Sequence, residues 1–266
     1  MLSTEFSFFL AAIAITYGYL KINKIKKYKY LEKIQKDIIN NCKLDFSPCN
    51  PGTLPSFDDR IVTVPNLLPE KTFSKLRATA LRQLGTERSY FPGHKKGGTV
   101  SYEELSITAP DIIAFYHSRY MQKLCSSIIG EPVMPTPIND QSSCSLLFYD
   151  KPKDHIGWHY DYNFYNGRHF TVLLPVVNEH RTEKRLSSAN LVIRRNGRES
   201  TLPTPPNTLI LFEGARVYHK VTPLAANETR IIISMTYCTE PKSSVLKGSL
   251  RRVKDMAYFG IRALWT

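Results

Sequence analysis

The sequence predicts a mainly β fold with flanking helices (α+β), built around a double-stranded β-helix (jelly-roll) core. Helical patterns end near residue 130, and short apolar runs then alternate with turn residues through residue 240. Asn196-Gly197 separates two of these runs and is a strong hairpin signal. Short strands at this spacing favour an antiparallel double-sheet jelly roll or a small barrel. The candidate strands are residues 143–149, 157–161, 168–177, 190–195, 199–202, 208–213, 216–221 and 229–238.

Composition is compatible with a packed core. The chain has 266 residues, of which 42% are hydrophobic and 22% charged, so general disorder is not expected. The length fits one substantial domain with a short extension, or two small domains. The net charge of +13 favours acidic partners, namely nucleic acid, anionic lipid or an acidic substrate. Alternatively, the excess is local and only aids solubility, because seven lysines lie within residues 21–40.

Residues 1–20 are interpreted as a membrane anchor helix. Phe6 to Leu20 carry no charge over 15 residues, slightly fewer than the roughly 20 of a spanning helix. A signal peptide would have positive charges before the apolar run, whereas here the lysines follow it. The sequence therefore predicts a single-pass membrane protein. Its folded domain is expected in the cytosol by the positive-inside rule, with a lumenal arrangement as the alternative.

Residues 21–59 are predicted to form a basic helix and a linker. The helix has an apolar stripe at helical spacing, and its lysine-rich face suits an anionic membrane surface; a solvated linker helix is the alternative. Prolines break any period in residues 41–60 and place a domain boundary there. Cys42 and Cys49 could pair in a lumenal domain and would be reduced in the cytosol. The stripe consists of Ile22, Ile25, Leu31, Ile34 and Ile38.

A domain over residues 60–240 begins with mixed elements. Ile61 to Val64 form a short strand, and residues 70–84 have the apolar spacing of a helix. Residues 92–100 are rich in glycine and lysine and are interpreted as a mobile loop, whereas residues 110–129 are expected to form one helix.

The basic C-terminal tail, residues 241–266, ends in a candidate amphipathic helix. Its apolar positions are Val253, Met256, Phe259, Ile261, Leu264 and Trp265.

Three residues indicate a metal site inside the barrel. His159 and Asp161 are two positions apart, and on a strand such positions face the same side. His219 lies in another strand-like run and can approach from the facing sheet. Two histidines and one carboxylate form the facial triad that binds iron(II) and leaves further positions open. The alternative is a metal-free barrel, but three such buried groups are costly unless they are fully paired.

Arg230 follows His219 by 11 positions on the next predicted strand. After the turn at residues 223–227, it should return to the level of the metal. A guanidinium pairs a carboxylate through two parallel hydrogen bonds, which lysine cannot reproduce. Arg230 is therefore the candidate anchor for a carboxylate co-substrate.

Residues 143–238 resemble the iron(II)/2-oxoglutarate-dependent dioxygenase superfamily, particularly its prolyl 4-hydroxylase-like branch. The resemblance is carried by Phe148-Tyr149-Asp150, which precedes the His159-Tyr160-Asp161 segment, and by Thr208 to Pro223 around His219. It implies Fe(II) on His159, Asp161 and His219, and 2-oxoglutarate on Arg230 and Tyr149, with ascorbate as a supporting reductant. The implied activity is hydroxylation of an unactivated C–H bond, most readily in a prolyl-type protein side chain, with release of succinate and CO2.

The sequence departs from that branch at two places. Where the branch has a Tyr-Leu-Asn segment, this chain has residues 168–178, and Thr171 and Leu173 are the candidate pocket residues instead. Nucleic-acid dealkylating relatives carry a second arginine six residues after the first, whereas position 236 is Thr. Nucleic acid is therefore disfavoured as a partner despite the basic charge.

An aromatic segment beyond the metal ligands is the candidate substrate rim, since functional loops sit at strand ends. His155 and His94 are interpreted as surface residues, with a substrate contact as the alternative for His94, and His169 is expected to face outward. Two other functions remain open: an inactive, membrane-tethered binding module, and an oxygenase acting on a small molecule, lipid or nucleic acid. The rim residues are Trp158, Tyr160, Tyr162, Phe164 and Tyr165. For Trp158, a place in the outer core is the alternative.

Overall fold

The computed structural model describes residues 4–47, 54–84, 88–91 and 94–260. Within these ranges the chain forms six helices: α1 (Thr4–Asn41), α2 (Glu70–Leu81), α3 (Tyr102–Thr108), α4 (Pro110–Tyr116), α5 (Arg119–Ile129) and α6 (Val245–Phe259). It also forms twelve strands: β1 (Ile61–Val64), β2 (Arg88–Phe91), β3 (Lys95–Val100), β4 (Met134–Pro135), β5 (Cys144–Tyr149), β6 (His155–His159), β7 (His169–His180), β8 (Leu191–Arg195), β9 (Arg198–Leu202), β10 (Leu209–Phe212), β11 (Tyr218–Val221) and β12 (Glu228–Cys238).

The strands pair in the order β1-β10-β7-β12-β5-β3-β6-β11-β8-β9, with β2 on β3 and β4 on β12. Every pairing is antiparallel. Strand β3 pairs with both β5 and β6, so it joins a larger sheet to a smaller one. This is the predicted double-stranded β-helix with flanking helices, and the fold class is confirmed.

The two faces of the larger sheet have different roles. Ile231 and Ile233 of β12 pack into the main core together with α4 and α5. Because side chains alternate along a strand, Arg230 and Ile232 face the opposite way, toward the smaller sheet. There Ile232 packs in a second apolar cluster with residues of β8, β10 and β11. The interior between the sheets therefore receives every second residue of β12, including the predicted anchor Arg230.

Two sequence interpretations in the first half of the domain are wrong. The helix predicted over 110–129 is two helices, because Ser118 caps α5 by accepting a hydrogen bond from the Met121 amide. Residues 95–100 are not a loop but strand β3. Glycine is needed there for close packing, since a Cβ on Gly98 would lie 1.8 Å from Cζ of Phe148. Small residues therefore mark a tight approach between β3 and β5.

Helix α1 is a single helix of 38 residues. Its second half packs on the domain, where Leu31 is buried and Lys27 pairs with Glu103 at 2.8 Å. Its first half exposes Phe8 and Phe9. Over the part of the chain that the structure describes, none of the helices combines the length and apolar character needed to span a bilayer.

The predicted membrane anchor over residues 1–20 is therefore wrong, and so are the single-pass localisation and the membrane partner based on it. The apolar run is short and is diluted by Thr16, Tyr17, Gly18 and Tyr19 before Lys21. Cys42 is a free thiol, and its suggested partner Cys49 lies outside the described residues. The same holds for positions 261–266 of the C-terminal tail, whose preceding residues form α6.

Candidate active site

The side chains of His159, Asp161 and His219 converge inside the barrel. His159 ends β6 and lies directly opposite His219 of β11 in the strand register. Nε2 of His159 lies 3.5 Å and Nε2 of His219 lies 3.9 Å from Oδ1 of Asp161. One donor atom from each residue lies within 4.8 Å of the other two, so a single ion could contact all three.

An irregularity in β6 aims His159 inward. His219 and Val221 of β11 are two positions apart, yet they pair with His159 and Ile156, which are three apart. Such a bulge redirects the side chains beyond it, so Ile156 and His159 both face the interior. Asp161 lies past the end of β6, and its amide donates to the Gly214 carbonyl at 3.1 Å. The predicted pair therefore meets, but not as two residues on one face of one strand.

Backbone carbonyls orient both imidazoles. Nδ1 of His159 lies 2.8 Å from the Gly157 carbonyl oxygen, and Nδ1 of His219 lies 2.9 Å from that of Val217. A neutral ring that donates from Nδ1 carries its lone pair on Nε2. Both lone pairs are thus directed at the space beside Asp161, as metal ligation requires.

The Asp161 carboxylate is held by two residues. Thr171 Oγ1 donates to its Oδ2 at 2.5 Å, and Gly214 packs so closely that an added Cβ would lie 2.5 Å from Asp161 Cβ. Burial alone would raise the pKa of Asp161, but His219, His159 and Thr171 outweigh it and hold that pKa far below its ordinary value. Asp161 is therefore an anion in the folded protein. Sequence analysis did not assign Gly214 a role in supporting this carboxylate.

Arg230 lies deeper in the barrel, paired in register with Tyr149 of β5. Its side chain is 1% exposed, and its guanidinium carbon is 5.4 Å from the centroid of the Tyr149 ring. Nε and Nη2 of Arg230 have no hydrogen-bond partner in the described ranges. Buried donors normally have partners, so these two indicate a missing acceptor. Burial lowers the pKa of Arg230, and a bound carboxylate would offset that cost.

One cavity of about 280 Å³ contains all four of these residues. Tyr149, Leu173 and Thr171, the candidate pocket residues, also line it, and the Thr171 hydroxyl donates to Asp161. His169 was expected to face outward but is buried along the wall, because β7 begins inside the barrel. His94 lines the cavity as well, with its ring edge-on to His159 at 5.5 Å between centroids.

The predicted substrate rim is divided by the structure. Tyr160, Tyr162 and Phe164 line the cavity. Trp158 does not, since the bulge turns it to the outer face of the small sheet, where it stacks on Tyr218 at 5.0 Å between centroids. Tyr165 is buried, and its hydroxyl donates to Asp140 at 2.6 Å, which places it behind the cavity wall.

Helix α6 forms a wall that sequence reasoning did not assign to the site. Lys254, Tyr258 and Phe259 line the cavity. Lys254 Nζ lies 3.3 Å from Asp140 and 2.9 Å from Asp255. Although burial lowers the pKa of Lys254, these two carboxylates raise it above its ordinary value. The helix is thus fixed to the barrel by a cluster of opposite charges centred on Lys254.

Solved structures share this architecture at low sequence identity. A Pseudomonas putida prolyl-4-hydroxylase is 15% identical, covers 69% of this chain and 94% of its own, and gives a TM-score of 0.51. A Trichoplax adhaerens prolyl hydroxylase in complex with a hypoxia inducible factor peptide is 13% identical and covers 84% and 95%, with a TM-score of 0.51. The epimerase SnoN, in complex with Fe3+, alpha ketoglutarate and nogalamycin RO, is 15% identical and covers 67% and 78%, with a TM-score of 0.54.

These likenesses establish the fold. No curated protein sequence matches the chain. A family model does: HalD, described as Halogenase D, matches residues 56–247. This range contains the three converging ligands, the buried arginine and all twelve strands, and it covers more than half of the sequence. The chain therefore belongs to the Halogenase D family.

Proposed function

We propose that this protein is an Fe(II)/2-oxoglutarate-dependent oxygenase that hydroxylates an unactivated C–H bond. The observation that supports it best is the convergence of His159, Asp161 and His219 in one cavity with Arg230, whose Nε and Nη2 have no partner among the described residues. A structural role explains neither the clustered lone pairs nor the buried donors. A divalent metal and a dicarboxylate together would satisfy both.

The residues present fit this metal and this co-substrate. Two imidazoles and one carboxylate are the ligand set that suits iron(II) and leaves positions open. The carbonyls of Gly157 and Val217 and the hydroxyl of Thr171 provide the outer hydrogen bonds that such ligands require. SnoN was solved with Fe3+ and alpha ketoglutarate in the same fold, which supports the assignment by analogy.

Arg230 would bind the distal carboxylate of 2-oxoglutarate through Nε and Nη2, the two donors without partners. Tyr149 stacks beside the guanidinium and fixes its position. Leu173 and Ile232 provide apolar walls that exclude water around the carbon chain. With both groups bound, the site would use dioxygen as the oxidant: one of its oxygen atoms would enter succinate as 2-oxoglutarate loses CO2, and the other would be inserted into a C–H bond of the substrate.

Asp161 favours hydroxylation over the halogenation that the family description names. Three protein ligands leave three positions on a six-coordinate metal, and the Asp161 carboxylate takes one that a halide would otherwise need. Thr171 and Gly214 hold that carboxylate in place. We therefore assign halogenation the second rank.

The prolyl-type protein substrate and the prolyl 4-hydroxylase-like branch remain predictions. The peptide-bound Trichoplax structure supports a protein substrate. SnoN, solved with nogalamycin RO, supports the small-molecule alternative equally. Among the features of this chain, the charge inside the cavity bears most directly on the choice.

Succinate release tests the proposed function. Full-length protein with Fe(II), ascorbate and 2-oxoglutarate should form succinate slowly without added substrate, and His219→Ala should abolish it. His155→Ala is the matched control, since this histidine begins β6, the strand that pairs with β11, contacts the Lys153 carbonyl and does not line the cavity. If the wild type neither binds iron nor releases succinate, the oxygenase proposal fails and a binding module is favoured.

Cobalt(II) provides a test of the halogenase alternative. Once 2-oxoglutarate is added, the wild type would keep one open metal position, the one that dioxygen needs, whereas loss of the Asp161 carboxylate would leave two. Chloride should therefore change the visible spectrum of the Co(II)-loaded wild type little. Asp161→Gly should respond to chloride. A chloride response in the wild type would favour halogenation instead.

A further inference from the structure

Lys95 is a second buried cation that lines the cavity, on β3 rather than on β12, the strand of Arg230. It begins β3, its side chain is 3% exposed, and it lines the cavity. Its Nζ donates to the Thr99 hydroxyl and lies 4.9 Å from the centroid of the Tyr258 ring. It forms no salt bridge with a residue of the described ranges, and burial alone lowers the pKa of Lys95 to about 7.

The other lysine of this cavity, the half-buried Lys254, shows what a structural role looks like. Lys254 lies between Asp140 and Asp255, and its charge is compensated. The Lys95 ammonium instead donates to the Thr99 hydroxyl and lies over the Tyr258 ring. A buried charge without an opposite charge is unfavourable, so fold stability does not account for Lys95. A ligand that brings a negative charge would account for it.

The direction of the side chain agrees with such a role. Lys95 lies opposite Ile156 of β6, which lines the cavity between the two sheets. Its neighbour Lys96 points the other way and donates to the Pro152 carbonyl at 3.1 Å near the surface. Because successive side chains on a strand point to opposite faces, Lys95 lies in the cavity and Lys96 lies near solvent.

The walls around Lys95 indicate what the rest of the ligand should be. Tyr258 and Phe259 of α6, with Tyr160, Tyr162 and Phe164 from the other side, give the cavity an aromatic lining. Aromatic side chains bind apolar bodies. A single ammonium with one hydroxyl also matches one carboxylate better than a doubly charged phosphate, which would require more donors.

We propose that Lys95 binds the carboxylate of the prime substrate, a small acid whose apolar body packs against the aromatic residues of α6. The proposal rests on the proposed oxygenase function, in which Arg230 serves the co-substrate. A peptide would have to bring an acidic group down to a side chain that is almost inaccessible. A small carboxylic acid is therefore favoured over a protein substrate.

Phenylacetate and its neutral analogue phenylacetamide are suitable probes. Protein loaded with Mn(II) and saturating 2-oxoglutarate, so that Arg230 is occupied, is titrated with each by calorimetry. We expect the acid to bind at least about tenfold more tightly than the amide, the ratio a charge-assisted hydrogen bond supplies. Lys95→Met should abolish the preference, Lys95→Arg should restore it in part, and the matched control Lys96→Met should keep it.

Three outcomes would overturn the inference: equal binding of acid and amide by the wild type, a preference that survives in Lys95→Met, or tight binding of an acidic peptide but not of phenylacetate. A fourth measurement separates the two carboxylate sources. If Lys95→Met weakens 2-oxoglutarate binding as strongly as Arg230→Met does, Lys95 serves the co-substrate and the inference is wrong. Acid preference in a protein that releases no succinate would instead leave Lys95 as an anion site and reject the oxygenase function.

Discussion

Two buried cations line the cavity, Arg230 and Lys95, and they differ in kind. Arg230 stacks on Tyr149 and leaves Nε and Nη2 without partners among the described residues. Lys95 donates to Thr99 beneath Tyr258. The guanidinium is a rigid, permanently charged fork, whereas the ammonium is a single point charge that burial can neutralise. Arg230 is therefore specialised for one fixed carboxylate, and Lys95 can accept a more varied ligand.

Replacing Arg230 should have the largest effect. Arg230→Met removes both unpartnered donors, and losing a buried charge pair costs about 2–5 kcal/mol, so the Kd of 2-oxoglutarate should rise by roughly 30-fold to 5000-fold. Titration of the Mn(II)-loaded protein measures it. Arg194→Met, which removes an arginine stacked on Trp158 at the outer face, is the control. If Arg230→Met leaves the Kd of 2-oxoglutarate unchanged, Arg230 does not anchor the co-substrate and its proposed difference from Lys95 is wrong.

Replacing Lys95 should stabilise the protein, in a way that depends on pH. The folded-state pKa is about 7 and the ordinary value is 10.5, so the unfolded chain binds more protons between these pH values and stability rises with pH there. Lys95→Met should therefore increase the free energy of unfolding by a few kcal/mol below pH 7, at about 1.4 kcal/mol per pKa unit.

The increase in the free energy of unfolding caused by Lys95→Met should fall to zero as the pH approaches 10.5. Urea denaturation across this range measures it, and Arg230→Met should show no comparable pH dependence because arginine stays charged. If Lys95→Met destabilises the protein at neutral pH, Lys95 has a structural role and the contrast with Lys254 is mistaken.

Gly214→Ala should weaken metal binding without touching either cation. The new Cβ would lie 2.5 Å from Asp161 Cβ and 2.6 Å from its Oδ2, so the carboxylate must move. Disturbing the support of a ligand typically lowers metal affinity by about 10-fold to 100-fold, which a Mn(II) titration would show. Gly248→Ala in α6, where the closest atom is 3.9 Å away, should leave metal affinity unchanged.

Thr171→Val should have the smallest effect. The substitution keeps the shape but removes the 2.5 Å hydrogen bond to Asp161, worth about 1 kcal/mol. The Kd for Mn(II) should rise by about 3-fold to 10-fold, and Thr171→Ser, which keeps the hydroxyl, should restore most of the affinity. A full loss of metal binding would mean that Thr171 does more than orient the carboxylate.

The sequence predicted the fold and the four central side chains because these depend on local patterns. Alternating apolar runs and the Asn196-Gly197 turn specify strands, and that turn is observed with both residues at positive φ. The spacing of His159 and Asp161 placed the ligands together, although Asp161 lies beyond the strand. Predictions from such local patterns remain correct even when the predicted strand boundaries are wrong by one or two residues.

The missed features depend on contacts between distant segments. Lys95 was assigned to a loop because three glycines near it are typical of a flexible segment. In the structure this segment is a strand, and Gly98 has no side chain because the ring of Phe148 packs against its backbone. Helix α6 was placed in the tail, and only tertiary packing shows that Tyr258 reaches the cavity. The anchor was predicted from an uncharged run whose mean hydropathy is lowered by tyrosine and threonine.

The attachment of α6 has a consequence for how this enzyme could acquire new specificities. The proposed iron ligands and the proposed co-substrate anchor all belong to barrel strands and their loops, whereas part of the aromatic wall lies on one short helix fastened through Lys254. Exchanging that helix would alter which molecules fit while leaving the oxidative machinery intact. Directed evolution could thus concentrate its libraries on a segment of fifteen residues and spare the rest of the gene.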